Sequence, residues 1–373
     1  MVADDDYYDG DDGYGYLVRL FRYDIPLLTA VNTGPLTLFR RKGWILDVRH
    51  KGFGAAAGEA APLPGFSRES FEEAGKALRK CAHAIARGKE TDVSRMPPSV
   101  RFAYRQAMTP TTVRKPFWEH EWVPLCALLQ GNPEEVLRRA RPLCGQGWTA
   151  AKLKVGRMSS DGEPAFVREV RRGLGPNIRL RLDANRAWSM EEATAFTAKV
   201  AEDSGDGMAP LDFLEEPLKD RKKLPMLARR TEIPLALDET LQEIYGPVQL
   251  SGDEALKEVR PLLNVGAVWV WKPTLCGPFN PAYKAQMAPG TRLVPSAAYE
   301  SGVGISGIIS MAAFPGDIPV SPVGVDTHRL LEHDTIFDPA GRFDTSRPRV
   351  AWEDIRQGGT LIADRMMDLA YGR

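Results

Sequence analysis

Five charged residues recur along the chain at intervals of about 30 residues, the length of one strand–helix repeat. Four of them close a run typical of a buried strand, and the fifth closes a shorter run of the same kind. In a parallel barrel the carboxyl ends of the strands converge on one face, where active sites lie. We therefore expect three carboxylates and two lysines to meet in one site. The five residues are Lys154, Asp183, Glu215, Asp238 and Lys272.

This set of side chains suits a divalent metal with a cationic group on either side. Asp183, Glu215 and Asp238 offer the hard oxygen ligands that Mg²⁺ prefers, and we expect Mn²⁺ to substitute for it. A metal so placed can bind a substrate carboxylate and stabilise the dianion formed when the α-proton leaves. Lys154 can act as the base if its pKa falls. Lys152, two residues earlier on the same strand face, supplies a like charge that favours this.

Lys272 is expected to approach from the opposite side, either as a second acid/base or as a fixed cation. Strand parity favours Glu215 over Glu216 as the metal ligand, because adjacent strand residues face opposite ways and Phe213 is expected to point inward. The glycine-rich loop that follows Ser296 is suited to backbone N–H contacts with a second anionic group.

Alternating strand and helix patterns from about residue 118 predict the barrel that would hold these side chains. Helix patterns occur between the strands, including one capped by Ser189 with Glu192 three residues later. Eight strand-like runs are the number that a (β/α)8 barrel requires. The runs are residues 123–129, 149–154, 178–183, 211–215, 235–238, 268–272, 292–296 and 320–323.

The first part of the chain shows a β-meander followed by helices, which indicates an α+β domain over residues 16–117. Its strand-like runs are residues 16–23, 36–40 and 44–48, and the Arg-Lys-Gly run at 41–43 is predicted to be a hairpin turn.

The two ends of the chain and the barrel complete the predicted organisation. Residues 1–15 are nearly all Asp, Tyr and Gly, and we expect a disordered acidic tail because they cannot bury a core. Ser70 and Glu73 fit a capping box at a helix start. Residues 118–334 would form the catalytic barrel, and residues 335–373 are expected to join the N-terminal domain.

Composition excludes several classes of function. The chain has 49 basic and 49 acidic residues, a formal net charge of +0, which argues against a nucleic-acid or membrane-surface partner. No apolar run approaches the roughly 20 residues of a spanning helix. The 4 cysteines show no CxxC spacing and the 5 histidines no HExxH pattern. These counts predict a cytoplasmic protein with reduced thiols and no zinc site. The strand-end carboxylates and lysines, in turn, predict a small-molecule carboxylate as the partner, and the oligomeric state stays open.

The strand-end motifs resemble those of the enolase superfamily, in its muconate-lactonizing subgroup. The resemblance covers roughly residues 16–330 and implies an α/β fold, a (β/α)8 TIM-like barrel with an N-terminal α+β capping domain that closes over its mouth. It rests on motifs that come in the family order, namely Lys152-Leu153-Lys154, Asp183-Ala184-Asn185, Glu215-Glu216-Pro217, Asp238-Glu239-Thr240 and Lys272-Pro273.

Within that subgroup the chain is similar to the o-succinylbenzoate synthase family, over residues 58–67, 101–103 and 295–304. That family dehydrates 2-succinyl-6-hydroxy-2,4-cyclohexadiene-1-carboxylate to o-succinylbenzoate in menaquinone or phylloquinone synthesis. The resemblance implies that Lys154 removes the proton α to the ring carboxylate and that Lys272 is a cation against the π face of the intermediate.

The same resemblance implies a set of substrate-binding residues and a capping loop near residues 30–34. Three alternatives stay open. An N-succinylamino acid racemase or dipeptide epimerase would use Lys154 and Lys272 as two bases. A Schiff-base aldolase would not need three carboxylates, and a non-catalytic barrel binding protein would need neither lysine. The implied substrate-binding residues are Pro64, Gly65, Phe66, Asn185, Ser296, Glu300 and Ser301.

Overall fold

Two structural units follow one another along the chain, an antiparallel sheet with two helices and then a parallel barrel. The computed structural model describes residues 6–9, 15–34, 36–52, 54–109, 122–159, 162–202, 207–246, 253–312, 321–336, 344–351 and 354. Within this part of the chain no helix is both long and apolar enough to cross a bilayer.

The N-terminal unit is a four-stranded antiparallel sheet with strands in chain order. The side chains of its two helices pack with Trp44 and Leu46 in a separate buried cluster. The predicted capping box is confirmed, since the Ser70 hydroxyl accepts from the Glu73 N–H at 3.1 Å and the Glu73 carboxylate accepts from the Ser70 N–H at 2.8 Å. The elements are β1 (Asp6–Asp9), β2 (Tyr16–Thr33), β3 (Leu36–His50), β4 (Gly54–Ala60), α1 (Phe71–Ala86) and α2 (Pro98–Ala107).

The predicted hairpin turn at residues 41–43 is wrong, because β3 runs straight through it and the chain reverses near Gly34, at a φ of 64°. Arg41 is only 1 % exposed, and its guanidinium donates to the Tyr299 carbonyl at 3.0 Å. Gly43 lies opposite Tyr23, and a Cβ there would come within 2.5 Å of that ring. Arg41 and Gly43 are therefore required for packing and do not form a turn.

The predicted disordered tail is wrong for β1, which pairs antiparallel with β2 from Asp6 opposite Leu20 to Asp9 opposite Leu17. Strand pairing uses backbone N–H and C=O groups, which a polar sequence keeps, and the two tyrosines of β1 favour a strand. Residues 1–5 and 10–14 lie outside the described part of the chain.

A seven-stranded parallel sheet, in the order β12-β11-β10-β9-β8-β7-β6, forms most of the barrel wall. Side chains of alternate residues fill its interior, where Phe213, Ala236, Val268, Val270 and Val294 form one buried cluster. The wall strands are β6 (Cys126–Leu129), β7 (Ala150–Lys154), β8 (Arg179–Asp183), β9 (Leu211–Glu215), β10 (Leu235–Leu237), β11 (Gly266–Trp271) and β12 (Arg292–Pro295), and the short β5 (Trp122–Pro124) precedes them.

Residues 321–324 close the gap between the two edges of this sheet. The Cys126 N–H donates to the Val323 carbonyl at 2.8 Å, and the Gly324 N–H donates to the Pro295 carbonyl at 2.9 Å. The eighth predicted strand is thus present as two bridging residues. Pro322, which has no N–H, limits the length of the ladder.

Helices connect most of the strands, and several are only one or two turns long. Ser189 and Glu192 form the predicted capping box at the start of α5. The helices are α3 (Pro133–Leu143), α4 (Gly162–Leu174), α5 (Met190–Ala201), α6 (Leu224–Ala228), α7 (Glu239–Tyr245), α8 (Asp253–Leu263), α9 (Pro273–Cys276) and α10 (Gly302–Ala312), with 3-10 turns at Arg221–Lys223, Pro281–Gln286 and Asp326–Leu330.

The segment after the barrel divides its contacts between the two units. The Glu332 N–H donates to the Pro26 carbonyl of the N-terminal sheet at 3.0 Å. Farther on, β13 (Arg349–Ala351) pairs antiparallel with β5 at the start of the barrel. The expectation that residues 335–373 pack on the N-terminal domain is therefore wrong for β13, because β5 offers it an unpaired backbone edge. Residues 337–343, 352–353 and 355–373 lie outside the described part.

Candidate active site

A cavity lies where the carboxyl ends of the barrel strands meet the tip of the β2–β3 hairpin. The N-terminal unit contributes Asn32, Thr33, Leu63 and Phe66 to its lining. The barrel contributes most of the predicted site residues, namely Lys152, Lys154, Asp183, Asn185, Glu215, Lys272 and Ser296. Asp238 is 0 % exposed and lies behind Lys272.

Strand register explains why the predicted residues meet. Lys154 is the parallel partner of Asp183, which is in turn the partner of Glu215, so three adjacent strands end level with one another. Asp238 and Lys272 directly follow β10 and β11, where each begins a short helix. Adjacent strands lie about 4.8 Å apart, so the five residues come together at one end of the barrel.

Lys152 joins two of the carboxylates. Its Nζ lies 2.7 and 2.8 Å from the two oxygens of Glu215 and 2.9 Å from Asp183 Oδ2. Burial alone would lower the pKa of Lys152, but these two carboxylates outweigh it and hold the pKa above its usual value. Lys152 therefore stays protonated and can neutralise charge without acting as the base.

Lys154 has a different partner, a neutral amide. Its Nζ donates to Asn185 Oδ1 at 2.5 Å and lies 3.7 Å from Asp183 Oδ2. The amide is held in this orientation because Asn185 Nδ2 donates to Glu239 Oε1 at 3.1 Å. Burial lowers the pKa of Lys154, and the charge of Lys152 adds to this effect against the opposing charge of Asp183. A lowered pKa is what a lysine base requires.

Lys272 forms a buried ion pair with Asp238. Burial would lower the pKa of Lys272, but the charges of Asp238 and Glu215 outweigh it and raise the pKa well above its usual value. Gln242 Nε2 donates to the other Asp238 oxygen at 2.7 Å and fixes that carboxylate. The surrounding carboxylates therefore favour the charged form of Lys272.

The carboxylate set fits a hard divalent cation in its chemistry. Among the described residues no group of three His, Cys, Asp or Glu side chains stands ready to hold a metal, because lysine ammonium groups separate these carboxylates. Burial, and then the charge of Asp183, raise the pKa of Glu215 well above its usual value, so its ionised form would gain from further positive charge. Three carboxylate oxygens at one strand-end face are typical Mg²⁺ donors.

Glu216 faces away from the cavity, in agreement with strand parity. Its carboxylate accepts from the N–H groups of Asp238 at 2.9 Å and Thr240 at 2.7 Å, and it pairs with Arg186 at 3.0 Å. Glu216 thus anchors the start of α7, which leaves Glu215 as the member of the pair that lines the cavity.

Backbone strain also marks this face of the barrel. Four non-glycine residues of the described chain have positive φ, each just after a strand end, and such residues cluster at functional sites. They are Asn185 (42°), Arg186 (60°), Glu216 (38°) and Tyr299 (65°).

Of the predicted substrate-binding residues, Asn185, Ser296 and Phe66 line the cavity, whereas Pro64 and Gly65 do not. Gly65 has a φ of 88°, and a Cβ there would lie 2.4 Å from the Thr33 carbonyl. Gly65 therefore lets the loop approach the hairpin tip, and the contact with the cavity falls to Phe66.

The structure does not bring Glu300 and Ser301 to the cavity, so their predicted contact with substrate is corrected. Both are 0 % exposed. The Glu300 carboxylate accepts from the Ala298 N–H at 2.5 Å, and the Ser301 N–H donates to Glu59 of the N-terminal unit at 2.9 Å. Glu300 therefore fixes the conformation of its own loop, and Ser301 joins this loop to the N-terminal unit.

Sequence reasoning gave no individual role to several residues that line the cavity. Asn32 and Thr33 come from the hairpin tip, within the predicted capping loop, and Tyr299 comes from the loop before α10. Arg181 lies deeper, 1 % exposed and 2.9 Å from Asp212, with an unpartnered buried Nη2. Strand parity puts Arg181, two residues before Asp183, on the same inward face.

Comparisons with known proteins agree with this geometry. The family described as "MenC, N-terminal domain" matches residues 16–110, and "Enolase C-terminal domain-like" matches residues 135–270. An o-succinylbenzoate synthase from Salmonella dublin is 32% identical over 320 residues, covering 84% of this chain and 91% of the relative.

Solved structures show the same fold. An o-succinylbenzoate synthase from Thermosynechococcus elongatus BP-1, complexed with Mg in its active site, matches with a TM-score of 0.66 and 23% identity over 85% of this chain and 94% of that one. A dipeptide epimerase from Enterococcus faecalis V583 gives a TM-score of 0.70 at 17% identity over 90% and 96%. This chain, with its barrel, its N-terminal sheet domain and its strand-end lysines and carboxylates, belongs to the o-succinylbenzoate synthase family of the enolase superfamily.

Proposed function

We propose that this protein is a lyase that dehydrates 2-succinyl-6-hydroxy-2,4-cyclohexadiene-1-carboxylate to o-succinylbenzoate, a step of menaquinone or phylloquinone synthesis. Family membership supports this activity. The observation that carries the mechanism is the asymmetry of two lysines. Lys154 donates to the neutral amide of Asn185 and has a lowered pKa, whereas Lys272 pairs with the Asp238 carboxylate and has a raised pKa. One base and one fixed cation are what a dehydration needs.

Lys154 would take the proton from the ring carbon α to the carboxylate. Its electron pair becomes available because its pKa is lowered, and Asn185 Oδ1 then accepts from the ammonium that forms. The C–H electrons move toward the carboxylate to give an enediolate. Expulsion of the ring hydroxyl restores the carboxylate and makes the ring aromatic. Lys154 returns its proton to the departing hydroxide, so that water leaves and the base is regenerated.

Lys272 would stay protonated throughout and face the ring as a cation. The ion pair with Asp238 keeps it charged and limits its movement. Thr33, Phe66 and Ser296 would enclose the rest of the substrate, with Ser296 beside the succinyl chain. The small-molecule substrate would thus contact both domains.

Asp183, Glu215 and Asp238 would hold Mg²⁺, and we propose that Mn²⁺ can replace it. A bound divalent cation supplies a Lewis acid for the charge that develops on the substrate carboxylate. Lys152, between Asp183 and Glu215, would keep these ligands apart and limit their mutual repulsion.

A second candidate is N-succinylamino acid racemisation or dipeptide epimerisation, because the two lysines line one cavity and because epimerases share the fold. Racemisation requires each lysine in turn to be an unprotonated base. The raised pKa of Lys272 opposes this, so we place racemisation second.

The test is an assay of the purified protein with the cyclohexadiene substrate and with N-succinylamino acids, each with and without Mg²⁺. We expect rapid dehydration that stops after removal of divalent cations and returns with added Mg²⁺ or Mn²⁺. Racemisation without dehydration would overturn the proposal, and full turnover in excess chelator would overturn the metal assignment.

Asp238→Asn tests the metal ligands without a large change in side-chain size. We expect metal affinity, measured by calorimetry, to fall about 10-fold or more, and this loss to exceed the effect of the substitution on folding. Asp92→Asn is the matched control, since Asp92 is exposed, accepts from the Ser94 N–H and does not line the cavity. An unchanged metal affinity in the Asp238 variant would remove Asp238 from the ligand set.

A further inference from the structure

A buried arginine of the N-terminal unit reaches the ends of two barrel helices. Arg101 lies on α2 and is only 7 % exposed. Its Nη2 is within hydrogen-bonding distance of three carbonyl oxygens, at 3.1 Å from Tyr245, 3.3 Å from Gly246 and 3.2 Å from Cys276. The first two carbonyls end α7 and the third ends α9.

These two helices are the ones that begin at site residues. The N-cap of α7 is Asp238 and the N-cap of α9 is Lys272. At a rise of about 1.5 Å per residue, their ends lie only roughly 6 to 12 Å from those side chains. A helix of one or two turns moves as a unit, so a shift at its end displaces the residue at its start.

The contact is closely fitted. Gly277, which follows α9, has a φ of 83°, and a Cβ there would lie 3.0 Å from the Arg101 guanidinium. A Cβ at Gly246 would lie 2.9 Å from the Leu275 carbonyl. The ends of the two helices and the guanidinium therefore meet where only glycine leaves enough room.

The electrostatics of the contact are favourable. The last carbonyls of a helix carry partial negative charge and lack intrahelical donors, so a cation there is stabilising. One guanidinium that serves two helix ends also fixes the distance between them. Loss of the side chain would leave three buried carbonyls without this donor.

We propose that Arg101 is a positioning residue that ties α7 to α9, and both to the N-terminal domain, and so holds Asp238 and Lys272 in contact. The kinetic part of this inference rests on the proposed dehydration. The metal-binding part rests only on the place of Asp238 at the start of α7.

Arg101→Met tests the proposal, with Arg105→Met as the matched control. Arg105 lies one turn later on α2 and is exposed, so the same atoms are removed from the same helix without touching α7 or α9. We expect Arg101→Met to lower kcat by about 10- to 100-fold with a much smaller change in KM. Mn²⁺ affinity, measured by electron paramagnetic resonance without substrate, should weaken by about 10-fold. The Arg105 variant should match the wild type.

Arg101→Lys separates charge from geometry, because the lysine side chain keeps the charge but is one bond too short to place a nitrogen where Nη2 meets the three carbonyls. We expect its kcat and Mn²⁺ affinity to lie between those of wild type and Arg101→Met. If Arg101→Met does not fold, Arg101→Lys decides the question against the Arg105 control.

A purely structural role predicts a lower melting temperature with unchanged kcat and Mn²⁺ affinity below it. That result, in folded Arg101 variants, would overturn the inference. Absence of dehydration in the wild type would sink the proposed function, while the Mn²⁺ measurements would still decide the role of Arg101.

Discussion

The two lysines that flank the cavity are similarly buried, yet their surroundings push their pKa values in opposite directions. The side chain of Lys154 is 22 % exposed and that of Lys272 is 15 % exposed. Lys154 donates to the amide of Asn185, whereas Lys272 pairs with the carboxylate of Asp238. The comparison shows that the charge of the neighbouring group, more than burial, decides whether the pKa of a buried lysine is lowered or raised.

Lys152 contributes to this asymmetry. Asp183 lies 2.9 Å from the ammonium of Lys152 but 3.7 Å from that of Lys154. The carboxylate that could have stabilised a charged Lys154 is therefore shared, and closer to another lysine. On the opposite side Asp238 forms its ion pair with Lys272. The pKa of Lys154 consequently falls, and that of Lys272 rises.

The largest expected effect is that of Lys154→Arg. A guanidinium keeps the charge but cannot lose a proton near neutral pH, so the variant has no base. We expect turnover to fall on the order of 10⁴-fold, the upper end of general-base contributions. Steady-state kinetics with folding and metal affinity checked in parallel give the measurement. Retention of more than about a tenth of the wild-type rate would remove Lys154 from the base role.

Lys272→Arg should reduce turnover less than Lys154→Arg, because only positive charge is required at this position. We expect a loss on the order of 10²-fold or below, set by how well the larger group fits. Lys272→Met, which removes the charge, should lose more. Equal and complete loss of dehydration in Lys154→Arg and Lys272→Arg, with folding and metal binding intact, would break the comparison and favour a two-base mechanism. Exchange of the α-proton in solvent deuterium by single variants distinguishes the two mechanisms further.

Asn185→Leu should have the smallest effect and tests the neutral partner of Lys154. The active form of Lys154 is unprotonated, so kcat/KM should rise with pH, and its midpoint should lie below 10.5 because the pKa is lowered. The amide oxygen favours the charged ammonium, so its removal should move this rise to lower pH. Without the amide Lys154 is less well oriented, so the plateau value of kcat/KM at high pH should fall by about 10-fold.

The control for this pH profile is Asn177→Leu, at an exposed asparagine outside the cavity. Its profile should match that of the wild type. A rise that moves to higher pH in Asn185→Leu would contradict the assigned role of the amide.

The sequence could predict the face of the barrel at which the site lies, because strand ends recur with the repeat and parity is a local rule. This reasoning placed Lys154, Asp183 and Glu215 side by side and chose Glu215 over Glu216 as the one that lines the cavity. The same reasoning failed for the Arg-Lys-Gly run at residues 41–43, because these residues lie within β3 although their composition is typical of a turn. It also assigned Glu300 and Ser301 to the substrate, although Glu300 bonds within its own loop and Ser301 bonds to the other domain.

What the sequence by itself determined is therefore the order of the elements, the alternation of their faces and the residue types at the strand ends. Only the tertiary structure decided which lysine has a lowered pKa, since Asn185 and Asp238 become partners through folding. It also decided the contacts of Arg41, Arg101 and Ser301, whose partners lie far away along the chain. Periodicity and parity report local geometry, whereas burial and charge pairing depend on which distant segments meet.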